Sequence, residues 1–319
     1  MERNIKMDDM KQVFIIYGFL EAGKTQFINF TLAQDYFQMD DATLLIVCEE
    51  GAEEYDENVL KKSNTYMEVI EDAEDFNIDT LNMLNEKYRP ERILIEYNGM
   101  WDCKNIELPK SWEIRQQMTI ADGVTFETYF NNMKSMFADM IRNSELLIMN
   151  RCHNTEKLNS YKMSIKAINT GIEVVFENEE GEIDLPLTDE DLPYDMKADI
   201  IDIGEKDYGI WYLDMWDNTD RYAGKKLRVK TMVMKEPGLA KNYFVAGRPA
   251  MTCCADDIVF MGAICKSKEA KNLNSRDTIE LTFTIADEYR SDYGGNGPVL
   301  YAEKIEKIPP LKQPIVSMN

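Results

Sequence analysis

Apolar residues fall in short blocks over the first two-thirds of the chain. Residues 13–17 (VFIIY), 43–48 (TLLIVC), 92–97 (RILIEY), 146–149 (LLIM) and 173–176 (EVVF) are near-continuous apolar runs, with a weaker one at 118–121. Runs this short, bounded by polar residues, predict strands buried on both faces. Between them, residues 26–33 can continue as a helix and 78–88 have helical spacing. Residues 125–142 place Phe126, Tyr129, Phe130, Met133, Met136, Phe137 and Met140 on one helical stripe, the pattern of a core-facing helix. Strands alternating with helices predict an α/β domain with a mainly parallel, doubly wound sheet.

The pattern changes further on. Residues 177–199 are acidic and contain prolines, which reads as the end of the first domain or its connection onward. After about residue 206, strand-like runs follow at 227–234, 243–252, 258–265, 278–285 and 299–305, separated by turn-prone residues such as Pro237-Gly238 and Gly294-Gly295. Five strands without a long helix predict a small all-β domain, an OB-like barrel or a sandwich. The expected division is therefore 1–205 and 206–319.

The strand at 13–17 runs directly into Gly18-Phe19-Leu20-Glu21-Ala22-Gly23-Lys24-Thr25. This is G-x-x-x-x-G-K-[ST], the phosphate-binding P-loop, in the strand–loop–helix context that the motif requires. The glycines let backbone N–H groups turn inward, and the helix N-terminus adds partial positive charge. Lys24 is expected to reach the β- and γ-phosphates and Thr25 to hold Mg²⁺. Gly18, Glu21, Ala22, Gly23 and Gln26 complete the expected nucleotide-binding set.

Composition narrows the partners. Acidic residues number 58 against 36 basic ones, a net charge of −22, which disfavours nucleic acid and anionic membranes. The balance suits handling of cations or a basic partner, and simple solubility equally. No run of 18 apolar residues exists and the N-terminus lacks an apolar signal region, so the expected location is the cytoplasm, with no insertion into a membrane. Six cysteines do not suggest a disulfide framework. The single histidine, His153, excludes a histidine-based triad and a multi-histidine metal site.

Several segments carry a family resemblance over about residues 10–175. GFLEAGKTQF, LLIVCEEG, RPERILIEYNG, TIADGVTF and LLIMNRCH resemble, in order, the P-loop, the second-strand motif, the Walker-B-like strand, the following aspartate segment and the base-reading loop of CobW-type GTPases. That family is linked to metal trafficking and cofactor metallation. The resemblance implies catalytic roles for Lys24, Glu49, Asp56 and Glu96, with Thr25, Asp56 and Glu96 about Mg²⁺. Hard oxygen ligands are what Mg²⁺ prefers. Asn150 and Arg151 would contact the base. Cys48 replaces an asparagine, and His153 replaces an aspartate that accepts two hydrogen bonds from guanine. A neutral imidazole offers one acceptor at most, so GTP and ATP both stay open. The family's C-x-C-C metal motif has no counterpart between residues 58 and 87. Glu71, Asp72, Glu74 and Asp75 stand there instead, as an acidic loop or a hard-cation site.

Residues 208–314 resemble the soluble domain of certain bacterial membrane proteins, through YAGKKLRVKTMV, RPAMTCCADD and VLYAEKIEKIPPLKQP. In that family the domain follows transmembrane helices and is encoded beside a permease and a CobW-type protein. Cys253 and Cys254 are candidate ligands for Zn²⁺ or another transition metal, although adjacent side chains of a regular strand point to opposite faces. The alternative is that they are small core residues. The expected activity is Mg²⁺-dependent hydrolysis of GTP or ATP, coupled to metal trafficking or a permease system. The rival is a non-hydrolysing nucleotide-binding adaptor whose β-domain holds a metal or a protein partner.

Overall fold

The computed structural model describes residues 10–49, 51–185, 188–251 and 258–317. They fall into two compact units: one runs up to Leu158 and includes Gly171–Asp184, and the other combines Asn159–Thr170 with the chain from Leu185 onward.

In chain order the first part is β1 (Lys11–Tyr17), α1 (Lys24–Ala33), β2 (Thr43–Val47), α2 (Glu57–Lys62), β3 (Thr65–Val69), α3 (Ile78–Tyr88), β4 (Arg92–Glu96), β5 (Trp112–Asp122), α4 (Phe126–Asn132), α5 (Lys134–Asn143), β6 (Leu146–Asn150), α6 (Leu158–Ile168), β7 (Glu173–Asn178) and β8 (Gly181–Glu182). The sheet of the first unit has eight strands in the order β3-β2-β4-β1-β5-β6-β7-β8. All neighbours are parallel except the β7–β8 hairpin. Leu44, Leu45 and Ile46 of β2 and Ile93 and Ile95 of β4 are fully or almost fully buried, as their apolar runs predicted.

Three local differences from the sequence pattern have physical reasons. The stripe at 125–142 is two helices, broken at Met133 with φ −129° and ψ 34°. β5 starts well before residue 118, because its first half carries Glu113, Arg115, Gln116 and Gln117 and so lacks an apolar signature. β3 lies at the sheet edge with Tyr66, Met67 and Val69 exposed, so burial leaves no pattern there.

The second part continues with β9 (Ile201–Ile203), α7 (Tyr208–Asp217), β10 (Leu227–Met234), β11 (Tyr243–Met251), β12 (Ile258–Lys266), β13 (Thr278–Arg290), β14 (Gly295–Lys307) and β15 (Val316–Ser317). Its seven-stranded sheet runs β15-β11-β12-β14-β13-β10-β9, with β11 also paired to β10. That extra pairing closes β10, β11, β12, β14 and β13 into a ring, in which β12 and β14 are parallel. The expectation of strands without a long helix is corrected by α7. Tyr208, Trp211, Tyr212, Leu213, Asp214 and Met215 are all buried, so this helix has no polar face to betray its period. Inside the unit, Asp214 accepts hydrogen bonds from Tyr222 (2.6 Å) and Asn218 (2.8 Å). Burial raises the Asp214 pKa despite these donors.

Candidate nucleotide site

β1 is the strand at which the sheet reverses its order of growth, with β4 on one side and β5 on the other. Open α/β sheets place ligands beyond the C-terminal ends of the strands at such a point. Here β1 ends at Tyr17 and the P-loop follows. Gly18 has φ 155° and Gly23 φ 96°; a Cβ on Gly18 would stand 2.5 Å from the Ile120 carbonyl. Left-handed backbone at Gly23 is easy only without a side chain. α1 begins at Lys24 with no side-chain cap, so its first N–H groups face the loop cavity free to meet an anion.

Lys24 is 2% exposed. Its ammonium donates to the carbonyls of Gly18 and Phe19, both at 3.0 Å, and pairs with Glu49 at the end of β2. Thr25 Oγ1 donates to Glu96 Oε1 at 2.9 Å, and the Tyr55 hydroxyl donates to Glu96 Oε2. Glu96 closes β4 and is 3% exposed. Burial raises its pKa above the usual glutamate range, and the Tyr55, Lys24 and Thr25 contacts only partly offset this. Cys48, directly before Glu49, is also buried, which together with the nearby carboxylate of Glu96 pushes its thiol pKa up. A protonated thiol is a poor metal ligand.

The loop cavity is lined by Glu21, Ala22, Gly23, Lys24, Thr25, Gln26, Glu49, Glu96 and Arg151 among others, and measures about 20 Å³. That is room for roughly one water molecule. Asp56 does not line it. Its carboxylate caps α2 by accepting from the Asn58 amide at 2.7 Å, and the Asn29 side chain accepts from its backbone N–H at 3.2 Å. Hydrophilic oxygens from Thr25 and Glu96 meet at one point, a donor set suited to a hard divalent cation. Among the described residues no cluster of three or more His, Cys, Asp or Glu side chains is placed to hold a metal. Cys253 and Cys254 lie outside the described residues.

A second, larger cavity of about 590 Å³ opens beside the loop. It is lined by Gly23, Gln26, Phe27 and Phe30 of the P-loop and α1, by Ile120 of β5 and Ile148 of β6, and by Asn150, Arg151, His153 and the β7–β8 hairpin. Asn150 ends β6 and donates its side-chain amide to the Ala22 carbonyl at 2.8 Å. Its other amide atom, Oδ1, is buried without a partner. Arg151 adopts φ 53° and binds both the Glu21 carbonyl (3.0 Å) and Asp122 (2.7 Å). Burial raises the Cys152 thiol pKa to about 11. His153 is exposed.

The structure thus brings together Gly18, Glu21, Ala22, Gly23, Lys24, Thr25, Gln26, Glu49, Glu96, Asn150 and Arg151, and sets Asp56 to one side. Tyr55 was not anticipated, and Asp122 stood only as the aspartate of the TIADGVTF segment, with no partner assigned to it. Each had a faint signal: Tyr55 is an aromatic in an acidic run, and Asp122 follows an apolar strand end.

A family model described as CobW/HypB/UreG, nucleotide-binding domain, matches residues 12–176, just over half the chain. The chain belongs to this family. The CobW/HypB/UreG match runs from β1 into β7, takes in α6, and has its P-loop at the end of β1. A second model, the DUF1980 C-terminal domain, matches residues 187–317. Similar solved structures include a hydrogenase maturation factor HypB from Archaeoglobus fulgidus, 13% identical, covering 54% of this chain and 83% of that one with TM-score 0.40. The Zn(II)-bound YjiA GTPase from E. coli is 19% identical, and the match covers 55% of this chain and 60% of that one with TM-score 0.39. HypB from Helicobacter pylori in complex with nickel is 10% identical, covering 55% and 81% with TM-score 0.37. No curated protein matches the chain. No helix among the described residues is long and apolar enough to cross a membrane.

Proposed function

We propose that this CobW/HypB/UreG chain binds and hydrolyses a nucleoside triphosphate with Mg²⁺, and that the cycle serves metal trafficking or a permease system. The observation that carries the reading is the meeting of Lys24, Thr25, Glu49 and Glu96 in one cavity at the end of β1, beside an open cavity large enough for a nucleoside. Lys24 neutralises phosphate charge. Thr25 and Glu96 supply the oxygens that would hold Mg²⁺ and its waters; the ion would neutralise charge on the phosphates. Phosphate arriving at Lys24 displaces Glu49, and the segment after Gly51 moves with it. The closed five-strand ring of the second unit supports an OB-like reading of that domain. Phosphate release by wild type and Lys24→Ala, with Mg²⁺ and either GTP or ATP, tests the proposal. Equal rates from the two proteins overturn it.

One observation favours the adaptor reading as a second possibility. Lys24 is already paired and the phosphate cavity is nearly closed. Tight nucleotide binding with no turnover, with or without a partner protein, decides for it.

A further inference from the structure

The base-reading loop lacks a carboxylate, since the residue two after Arg151 is His153. The β7–β8 hairpin, which lines the same cavity beside this loop, presents Glu177, Asn178 and Glu179. We propose that Glu177 supplies the carboxylate that reads the base, and that the base it selects is guanine. The inference rests on reading the neighbouring loop as the phosphate site of a nucleotide.

The first argument is position. The Glu177 carbonyl accepts a hydrogen bond from the Cys152 amide at 2.9 Å, so the end of β7 is fixed beside the residue preceding His153. The loop on the other side of that bond is tightly packed. The Cys152 thiol donates to the Met149 carbonyl at 3.2 Å, and a Cβ on Gly123 would lie 2.9 Å from the sulfur. The second argument is availability. Among the described residues the Glu177 carboxylate makes no hydrogen bond or ion pair, although the residue is half-buried. Asn178 has its side-chain oxygen occupied by the Glu180 amide at 2.8 Å, and Glu179 is exposed in the turn.

The third argument is chemistry. Guanine directs N1–H and N2–H₂ the same way, and the two oxygens of an ionised carboxylate accept both. Adenine offers the N6 amino group beside the N1 lone pair, and that lone pair meets a carboxylate oxygen repulsively. A site built on donors of the ligand rejects the analogue that lacks them, because its acceptor is left unpaired.

The test titrates the full-length protein with GDP, IDP and ADP in the presence of Mg²⁺. IDP differs from GDP by the loss of the N2 amino group. The wild type is expected to bind GDP about 10- to 100-fold more tightly than IDP or ADP, the range of a charge-assisted hydrogen bond. Glu177→Gln is expected to bring the GDP:IDP ratio near one, and Glu179→Gln to leave it unchanged. Adding His153→Asp to Glu177→Gln is expected to restore the ratio, which also shows that the variant is folded. An unchanged ratio in Glu177→Gln, loss of the ratio in Glu179→Gln instead, or equal wild-type binding of ADP and GDP overturns the inference. Those results leave the phosphate site standing if Lys24→Ala still weakens all three ligands. Binding that is indifferent to Lys24→Ala sinks both readings.

Discussion

Asn150 and Ala22 are joined by a 2.8 Å hydrogen bond from side-chain amide to backbone carbonyl, which fastens the loop after β6 to the P-loop. The two residues are 128 positions apart, and a Cβ on Gly23 would come within 2.6 Å of the same amide nitrogen. The P-loop and the loop after β6 therefore share one support. Asn150→Ala is expected to lower stability by about 1–2 kcal/mol, and nucleotide affinity about tenfold, through the loosened loop. Thermal unfolding with and without nucleotide measures both. An unaltered affinity would show that the loop keeps its shape without this bond.

The Lys24–Glu49 pair makes a contrasting prediction. A phosphate must compete with Glu49 for the ammonium. Glu49→Gln removes the competing charge, so binding of GDP or ADP is expected to tighten while triphosphate turnover falls. Lys24→Ala leaves Glu49, whose side chain is 9% exposed, without its partner, at a cost of about 3 kcal/mol when a buried pair is broken. Calorimetric binding and phosphate release on the two variants separate the effects. Weaker binding by Glu49→Gln would mean that Glu49 helps to hold the ligand and does not obstruct it.

Glu96 sets a pH dependence. Its folded-state pKa is raised, so its contribution to stability is complete below the pKa of the unfolded chain and is lost as pH rises through the folded value. Without a divalent cation, the wild type is thus expected to lose stability relative to Glu96→Gln as pH climbs out of the acidic range. Mg²⁺ binding needs the ionised form, so it is expected to weaken on acidification at a higher pH than an ordinary glutamate would cause. Denaturation midpoints across pH, with and without Mg²⁺, report both trends. Parallel curves for wild type and variant would remove Glu96 from this role.

Gly99 is a steric prediction. It follows β4, donates its amide to the Gly18 carbonyl at 3.2 Å, and a Cβ there would stand 2.6 Å from that oxygen. Gly99→Ala therefore has to push the P-loop aside, at about 1–3 kcal/mol for an overpacked contact. Nucleotide affinity is expected to fall with it. A variant with wild-type melting and binding would show that the strand end yields instead.

What the sequence made legible depended on how local each feature is. Gly18, Gly23, Lys24 and Thr25 are contiguous, so the phosphate site could be read directly. Glu96 could be found because a carboxylate closing an apolar strand is unusual. The pairings of Tyr55 and Asp122 could not, since their partners Glu96 and Arg151 lie 41 and 29 residues away and only the sheet brings them together. The resemblance gave Asp56 a role near Mg²⁺, whereas its carboxylate caps α2, an alternative that an Asp before a helix always carries. The parallel sheet was legible from continuous apolar runs. β3 and α7 were not, because one is exposed on an edge and the other is enclosed on most sides.

Helix α6 has one more consequence. It lies between β6 and β7 in sequence, yet Asn159–Thr170 belongs to the second unit, where Lys166 binds Asp217 at 2.9 Å and Ala167 joins the core. The chain is interleaved, and no single cut yields two intact halves. A fragment starting at residue 185 leaves behind a helix that its own core requires. A self-sufficient version of the second unit would have to carry residues 159–170 on a new linker, as a circular permutant does.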